Sequence, residues 1–273
     1  ETGIYVTSHF QFYDGIAMVR CYSVVENRGT DEQILEYVTS FNLNGLEKEG
    51  ILPRDQKMKV AVIHNSWQRE VQWKEYTLPQ LGIEQSQPDL ALRSSKAFGV
   101  SNTGNWSAKE YLPMGCVSNE ETGSRLFWQI EQNGSWHWEI SDQTNHLYLQ
   151  LSGPTENQSH WFKCLKPGEK FESVPAAVGA VLGGNEEMAE ELTRYRRRIR
   201  RENEDNEKLA VIFNDYMNCL WAEPTTEKEI PLIDAAAEIG CEYYCIDAGW
   251  YADGYWWDEV GEWLPSDKRF PNG

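Results

Sequence analysis

Two stretches of sequence decide the fold of the C-terminal part of the chain: Leu209-Ala210-Val211-Ile212-Phe213-Asn214-Asp215-Tyr216 and Cys245-Ile246-Asp247-Ala248-Gly249-Trp250. Residues 209–213 form a continuous apolar run, which predicts a strand buried on both faces of a parallel sheet. Residues 243–246 predict a second short buried strand. Because the residues between them have a helical pattern, the order strand, helix, strand predicts a right-handed βαβ unit.

The helix between the two strands has signals at both ends. It is expected to begin at Thr225-Thr226-Glu227, and Gly240 supplies a C′ residue at its end. Its expected apolar stripe consists of Leu232, Ala235, Ala236 and Ile239. Pro231 lies inside this segment and removes a backbone donor, so we expect a short first turn and a restart there.

Polar and aromatic side chains follow both predicted strands. They are Asn214, Asp215, Tyr216, Asp247 and Trp250. In a βαβ unit the ligand crevice lies beyond the carboxyl ends of the strands, so these side chains are expected to face one site. The alternatives are that Asp247 caps the next turn and that Asn214 and Asp215 bind neighbouring backbone at the strand exit.

Aromatic residues are concentrated near the same site. The cluster consists of Tyr216, Trp221, Trp250, Tyr251, Trp256, Trp257 and Trp263. Aromatic faces beside carboxylates suit a sugar, whose ring offers C–H faces for packing and hydroxyl groups for hydrogen bonds. For Trp256 and Trp257, ordinary packing within a loop is the alternative.

Charge and composition limit the partners. The 273 residues contain 25 Lys and Arg against 43 Asp and Glu, a formal net charge of -18, which argues against a nucleic acid or an anionic membrane surface. No run of 18 apolar residues is present, so we expect a soluble chain. The six cysteines show no zinc or redox spacing and favour free thiols in the cytoplasm, with secretion as the alternative if a leader has been removed.

The N-terminal part of the chain is predicted to be all-β. Short alternating or apolar runs separated by turn signals extend over residues 1–183 and predict a large antiparallel β-sandwich, incomplete at its start. An amphipathic helix capped by Asn185 is expected within a linker at 184–207. Residues 208–273 would then begin an α/β barrel, which needs roughly 250 residues when closed and would here be truncated.

The C-terminal motifs resemble a known family. Asn214-Asp215-Tyr216, Ile246-Asp247-Ala248-Gly249-Trp250-Tyr251 and Gly261-Glu262-Trp263 followed by residues 268–273 are similar to those of melibiase-type α-galactosidases, glycoside hydrolase family thirty-six in clan D. Trp67-Gln68-Arg69-Glu70 resembles a short signature of their sandwich domain. The resemblance implies the same domain order: a β-supersandwich followed by a (β/α)8 barrel.

The resemblance also implies a function. It predicts retaining hydrolysis of terminal α-linked galactosides, in oligosaccharides or glycoconjugates, by two carboxylates about 5 Å apart and without metal or cofactor. Neither catalytic carboxylate is expected within the chain, which alone should be inactive. Asp247 matches an aspartate that accepts hydrogen bonds from galactose hydroxyls. Tyr216 falls where many relatives have a tryptophan that lines the pocket, and Trp263 matches an aromatic residue on its rim. Ala248 replaces a second aspartate of the family, which puts strict galactose specificity in doubt.

Three hypotheses follow. The chain is the N-terminal portion of an α-galactosidase-like hydrolase, a non-catalytic carbohydrate-binding or scaffold module, or part of a related glycosidase or transglycosylase for another α-linked sugar. The resemblance further makes a homo-oligomer through the β domain a possible assembly. No nucleic acid and no membrane are expected as partners.

Overall fold

The computed structural model describes residues 2–83, 96–143 and 146–273. The chain divides into two compact units, Glu1–Ile199 and Arg200–Gly273. The first unit is mostly antiparallel β structure with few helices, as predicted for the N-terminal part of the chain.

One large antiparallel sheet dominates the first unit. Its strands are, in spatial order, Ile4–Phe12, Met18–Asn27, Ala176–Leu182, Ser124–Ile130, Tyr111–Asn119, Met58–His64 and Gln72–Thr77, with Lys170–Glu172 also paired to the second of them. A second sheet contains Thr39–Asn44, His146–Ser152, Trp136–Gln143 and Phe98–Asn102 in that order. Short strands Gln33–Leu35 and Lys163–Leu165 form a separate pair.

The two sheets pack face to face through a core of aliphatic and aromatic side chains. Trp128 of the large sheet meets Trp138 of the small one edge to face, with ring centroids 5.1 Å apart, and both rings are fully buried. Edge-to-face pairs of this kind contribute about 0.5–1.5 kcal/mol beyond the area they bury. Gly115 belongs to this core, because a Cβ atom there would lie 2.4 Å from Trp128 Cζ2.

An amphipathic helix covers the other face of the large sheet. It spans Asn185–Ile199 and buries Met188, Leu192 and Tyr195 against the sheet. The Tyr195 hydroxyl donates to Glu131 Oε1 at 2.5 Å, which fixes the helix to the sheet. This helix is the one expected from Asn185, and it belongs to the first compact unit. A short helix, Asp205–Lys208, follows in the second unit.

The second unit contains a strand, a helix and a parallel strand. Ile212–Asn214 pairs with Tyr243–Cys245, and the helix Thr226–Glu238 connects them. The prediction of a strand at 209–213 buried on both faces was wrong. Leu209 is 77% exposed and Ile212 is 62% exposed, because the strand begins only at Ile212 and has a single paired neighbour within the described chain.

The connecting helix also differs from its prediction. It is continuous through Pro231, with no restart. Pro231 and Glu227, four residues earlier, are both exposed, so water can satisfy the carbonyl group that proline leaves without a donor. Gly240 ends the helix at a φ of +87°, as predicted.

Only half of the predicted stripe of this helix is covered. Ala236 is buried and Leu232 half-buried, whereas Ala235 and Ile239 are exposed. The helix therefore buries a narrower apolar face than the spacing of its apolar residues predicted.

Candidate functional site

The two strand exits of the second unit lie side by side. Asn214 is paired with Cys245 in the parallel register, so the residues that follow the two strands meet at one edge. Asn214 Nδ2 donates to Asp247 Oδ2 at 2.7 Å, and Asn214 Oδ1 accepts from the backbone N–H of Tyr216 at 2.9 Å. These two bonds fix the amide orientation of Asn214 and bring together the polar residues that the sequence placed at the strand exits.

Asp247 makes the turn-capping bond that the sequence left open as the alternative to a site role, and it also contacts Asn214. Its Oδ1 accepts from the backbone N–H of Ala248 at 2.7 Å, which is the predicted turn-capping bond. Its Oδ2 is bound by Asn214, and the side chain is half-buried. Because a carboxylate offers about four acceptor positions, two remain available for hydroxyl groups of a ligand.

Asp247 lies in the wall of an open cavity of about 420 Å³, here called the aromatic hollow. The hollow is lined by Cys245, Ile246, Asp247, Ala248, Trp250, Tyr251, Trp256, Trp257, Val260 and Trp263. Asp247 is the charged residue of this lining, and aromatic rings provide most of the rest. The volume is within the range of about 300–1,000 Å³ that small-molecule sites occupy.

The aromatic rings around the hollow support one another. Trp263 lies with its ring centroid 4.8 Å from Tyr251 and 6.4 Å from Trp250. Trp256 contacts Trp257 edge to face at 4.8 Å and Tyr216 at 6.3 Å. Tyr216 therefore contacts Trp256 but does not line the aromatic hollow, whereas Trp250 and Trp263 line it.

A glycine sets the turn between Asp247 and Trp250. Gly249 has a φ of +98°, and a Cβ atom there would lie 2.2 Å from the carbonyl oxygen of Ala222. Only glycine fits both the backbone conformation and this close approach. The turn directs Asp247 and Trp250 into the same hollow.

Asp215 lies below the site and has a different set of contacts. It is 1% exposed, and its Oδ1 accepts from the backbone N–H of Asp247 at 2.7 Å. Next to it lies Glu229 of the connecting helix, which is 2% exposed and accepts from the Tyr244 hydroxyl at 2.5 Å. Burial, together with the charge of Asp215, raises the pKa of Glu229 to about 7.

Sequence reasoning did not find Glu229, although a signal was present. Glu229, Leu232 and Ala236 have the i, i+3, i+7 spacing of one helix face. A carboxylate in an apolar stripe position indicates a buried charged group with a specific partner.

Arg269 lies in the C-terminal stretch 268–273, and the sequence did not predict a role for it. It is 6% exposed, and its guanidinium donates to the carbonyl oxygens of Ala252, Pro224 (3.3 Å) and Gly254 (2.9 Å) and to Glu223 Oε2 (3.3 Å). Arg269 thereby holds the segment that carries the tryptophans of the hollow in a closed loop.

The described residues contain neither a metal-binding cluster nor a membrane-spanning helix. Across 2–83, 96–143 and 146–273, no group of three or more His, Cys, Asp or Glu side chains is arranged to hold a metal ion. Within the same ranges, no helix has the length and apolar content needed to cross a membrane.

Known structures share the fold of this chain over its whole length. The chain has the fold of the N-terminal portion of the α-galactosidases of glycoside hydrolase family GH36, as the sequence resemblance predicted. A GH36 α-galactosidase from Geobacillus stearothermophilus superposes with a TM-score of 0.79 at 17% identity over 100% of this chain and 35% of its own. The α-galactosidase from Lactobacillus brevis gives a TM-score of 0.77 at 15% identity over 100% of this chain and 34% of its own.

Sequence comparisons find the same kind of relative. The chain is 22% identical over 214 residues to α-galactosidase 1 of Pediococcus pentosaceus, covering 74% of this chain and 28% of that protein. It is 24% identical over 189 residues to probable α-galactosidase C of Aspergillus terreus, covering 64% of this chain and 24% of that protein. The chain thus spans about a quarter of the length of the curated relatives that it matches. No family model matches the sequence.

Proposed function

We propose that the chain is the N-terminal portion of a retaining glycoside hydrolase that acts on terminal α-linked galactosides, and that residues 208–273 begin its (β/α)8 barrel. The parallel strand pair with its connecting helix supports this, because such pairs occur in larger sheets covered on both faces. Leu209, Val211 and Ile239 are 57–77% exposed, as expected for positions that further barrel units would cover. Self-association through the β domain stays a prediction.

The single observation that carries the proposal is the position of Asp247. Its carboxylate is held by Asn214 and by the backbone N–H of Ala248 in the wall of the aromatic hollow. A sugar can place hydroxyl groups on this carboxylate and a C–H face on Trp250 or Trp263. In this proposal Asn214 orients Asp247, Asp215 holds its backbone, and Tyr216 supports Trp256.

The proposed ligand is an oligosaccharide that ends in an α-linked galactose. Structures of the Geobacillus stearothermophilus enzyme were solved in complex with stachyose and with raffinose. Ala248 favours a second candidate, an enzyme for another α-linked sugar, because its methyl group lines the hollow and offers no acceptor to a hydroxyl beside Asp247.

Binding and turnover are tested separately on the purified chain. We expect raffinose to change the tryptophan fluorescence of the chain. Asp247→Asn should weaken binding about 10- to 100-fold, since a hydrogen bond to a charged group contributes about 1.5–3 kcal/mol. Asp234→Asn, an exposed aspartate on the connecting helix, is the matched control and should bind like the unmodified chain. Equal binding by the Asp247→Asn variant would overturn the site assignment.

We expect no hydrolysis of p-nitrophenyl α-galactoside by the chain, because the proposal assigns the catalytic carboxylates to none of its residues. Hydrolysis by the purified chain would contradict that assignment. If the chain binds p-nitrophenyl glycosides of other α-linked sugars more tightly than the galactoside, the second candidate is correct. The hypothesis of a non-catalytic binding module makes a different prediction. Under it, a longer protein encoded by the gene hydrolyses none of the glycosides that the chain binds.

A further inference from the structure

Next to the backbone of Asp247, two buried carboxyl groups and one half-buried tyrosine come from the three elements of the parallel unit. Asp215 follows the first strand, Glu229 lies in the connecting helix, and Tyr244 belongs to the second strand. Asp215 and Glu229 are 1% and 2% exposed. Two neighbouring ionised carboxylates that are both buried repel each other strongly, so this arrangement needs a compensating proton or cation.

The hydrogen bonds around Glu229 indicate that a proton compensates the two carboxyl groups. Tyr244 donates its single proton to Glu229 Oε2 at 2.5 Å. The second oxygen, Oε1, is buried and receives a hydrogen bond from no donor in the described chain. The carboxyl groups of Glu229 and Asp215 nevertheless interact side chain to side chain. A hydrogen bond between two carboxyl groups requires a proton on one of them.

The contacts of Asp215 place that proton on Glu229. Asp215 Oδ1 accepts from the backbone N–H of Asp247 at 2.7 Å, and this bond is strongest when Asp215 is ionised. Glu229 can donate to Asp215 without losing its bond from Tyr244, because it accepts on one oxygen and donates from the carboxyl O–H. Among the described titratable groups, Glu229 interacts with Tyr244 and Asp215. Tyr244 interacts with Glu229, Asp215 and Cys219.

We propose that Glu229 is a positioning residue for Asp247: it keeps a proton that it donates to Asp215, and Asp215 accepts the backbone N–H of Asp247. The proton stays between the two carboxyl groups while the turn at Asp247 is formed. When Glu229 ionises, the two carboxylates repel each other, Asp215 moves from the Asp247 N–H, and the turn at the hollow loosens. The proposal concerns the shape of the site and does not depend on which ligand binds there.

The test follows the backbone amide of Asp247 by NMR in a chain labelled with ¹⁵N-aspartate, without ligand. The Asp247→Asn variant identifies its signal, which disappears there. In the unmodified chain we expect the amide to lie downfield at low pH and to move upfield with one midpoint near pH 7. The infrared band of a protonated carboxyl group should be present at pH 6 and lost with the same midpoint.

Two variants separate this mechanism from simple packing. Glu229→Gln keeps the shape, and its amide can donate to Asp215 at every pH, so the downfield position should persist with no midpoint and the infrared band should be absent. Glu229→Ala should place the amide upfield at all pH values. Glu238→Gln, an exposed position on the same helix, should titrate like the unmodified chain.

A midpoint that persists in Glu229→Gln, or an unmodified chain without a midpoint between pH 5 and 9, would overturn the proposal. If Glu229→Ala does not fold, the comparison of Glu229→Gln with Glu238→Gln still decides. Failure of raffinose binding would leave these results unchanged, so the two proposals fail independently.

Discussion

Replacing Arg269 by methionine should open the loop that shapes the aromatic hollow. The guanidinium donates to four acceptors, of which two are carbonyl oxygens of the buried residues Ala252 and Pro224. The other two belong to the exposed residues Gly254 and Glu223, where water can replace the lost bond. Methionine has a similar length and fills the space, so the main effect is the loss of donors to the two buried carbonyl groups.

The magnitude follows from those two carbonyl groups. A buried acceptor left without a partner costs about 1–3 kcal/mol, so the loop should lose about 4 kcal/mol of stability. Since 1.4 kcal/mol corresponds to a factor of ten, its opening should become roughly 500- to 1,000-fold more frequent. Arg269→Lys should recover part of this loss, because an ammonium group reaches one carbonyl oxygen but lacks the planar fork.

Hydrogen–deuterium exchange with peptide mass spectrometry measures this opening directly. The backbone N–H of Ser266 donates to the Trp250 carbonyl oxygen at 2.9 Å, and that of Arg269 donates to the Ser266 carbonyl oxygen at 3.1 Å, so peptides over 250–270 report the loop. Peptides over the sandwich strand Ser124–Ile130 serve as the internal reference, and Arg201→Met, at an exposed arginine, is the matched control. A loop exchange rate that rises less than tenfold in Arg269→Met would refute the reasoning.

Two further predictions concern stability. The pKa of Glu229 is raised from 4.5 to about 7 in the folded chain, so its contribution to folding stability is complete below pH 4.5 and is lost as pH rises through 7. Urea titration should detect this decrease of about 3 kcal/mol in the unmodified chain and in Glu238→Gln, but not in Glu229→Gln. Gly115→Ala should destabilise the sandwich by about 1–3 kcal/mol, because the new methyl group would lie 2.4 Å from Trp128 Cζ2, whereas Gly134→Ala, with its nearest contact at 3.4 Å, should change the melting temperature little. A stability that rises between pH 4.5 and 7, or equal melting temperatures for both glycine variants, would contradict these expectations.

Much of the fold could be predicted because its signals are local. Met18–Asn27 alternates between buried and more exposed positions along its length. The helix Asn185–Ile199 buries Met188, Leu192 and Tyr195, which lie at helical spacing. Both patterns depend on neighbours within a few residues. The exposure of Leu209 and Ile212 could not be predicted in the same way, because an apolar run indicates burial only when other parts of the chain supply the covering layer.

The candidate site was predictable in position but not in the role of each residue. Asn214 and Asp215 are adjacent, so the alternation of an extended chain directs one toward Asp247 Oδ2 and the other beneath the site. Sequence alone does not fix which of the two points outward, because a shift of one residue exchanges their roles. Glu229 is 14 residues after Asp215 in sequence, and only the packing of the helix brings the two carboxyl groups together.

The contacts of Asp247 also show that its geometry does not depend on the side chain at position 248. Ala248 holds Asp247 Oδ1 through its backbone N–H, which every residue other than proline provides. Asp215 and Asn214 hold the rest of Asp247. The side chain at 248 is therefore not needed for the geometry of Asp247, and it contributes only to the wall of the hollow. A polar side chain at 248 would therefore change the chemistry of the wall while the Asp247 carboxylate keeps its place.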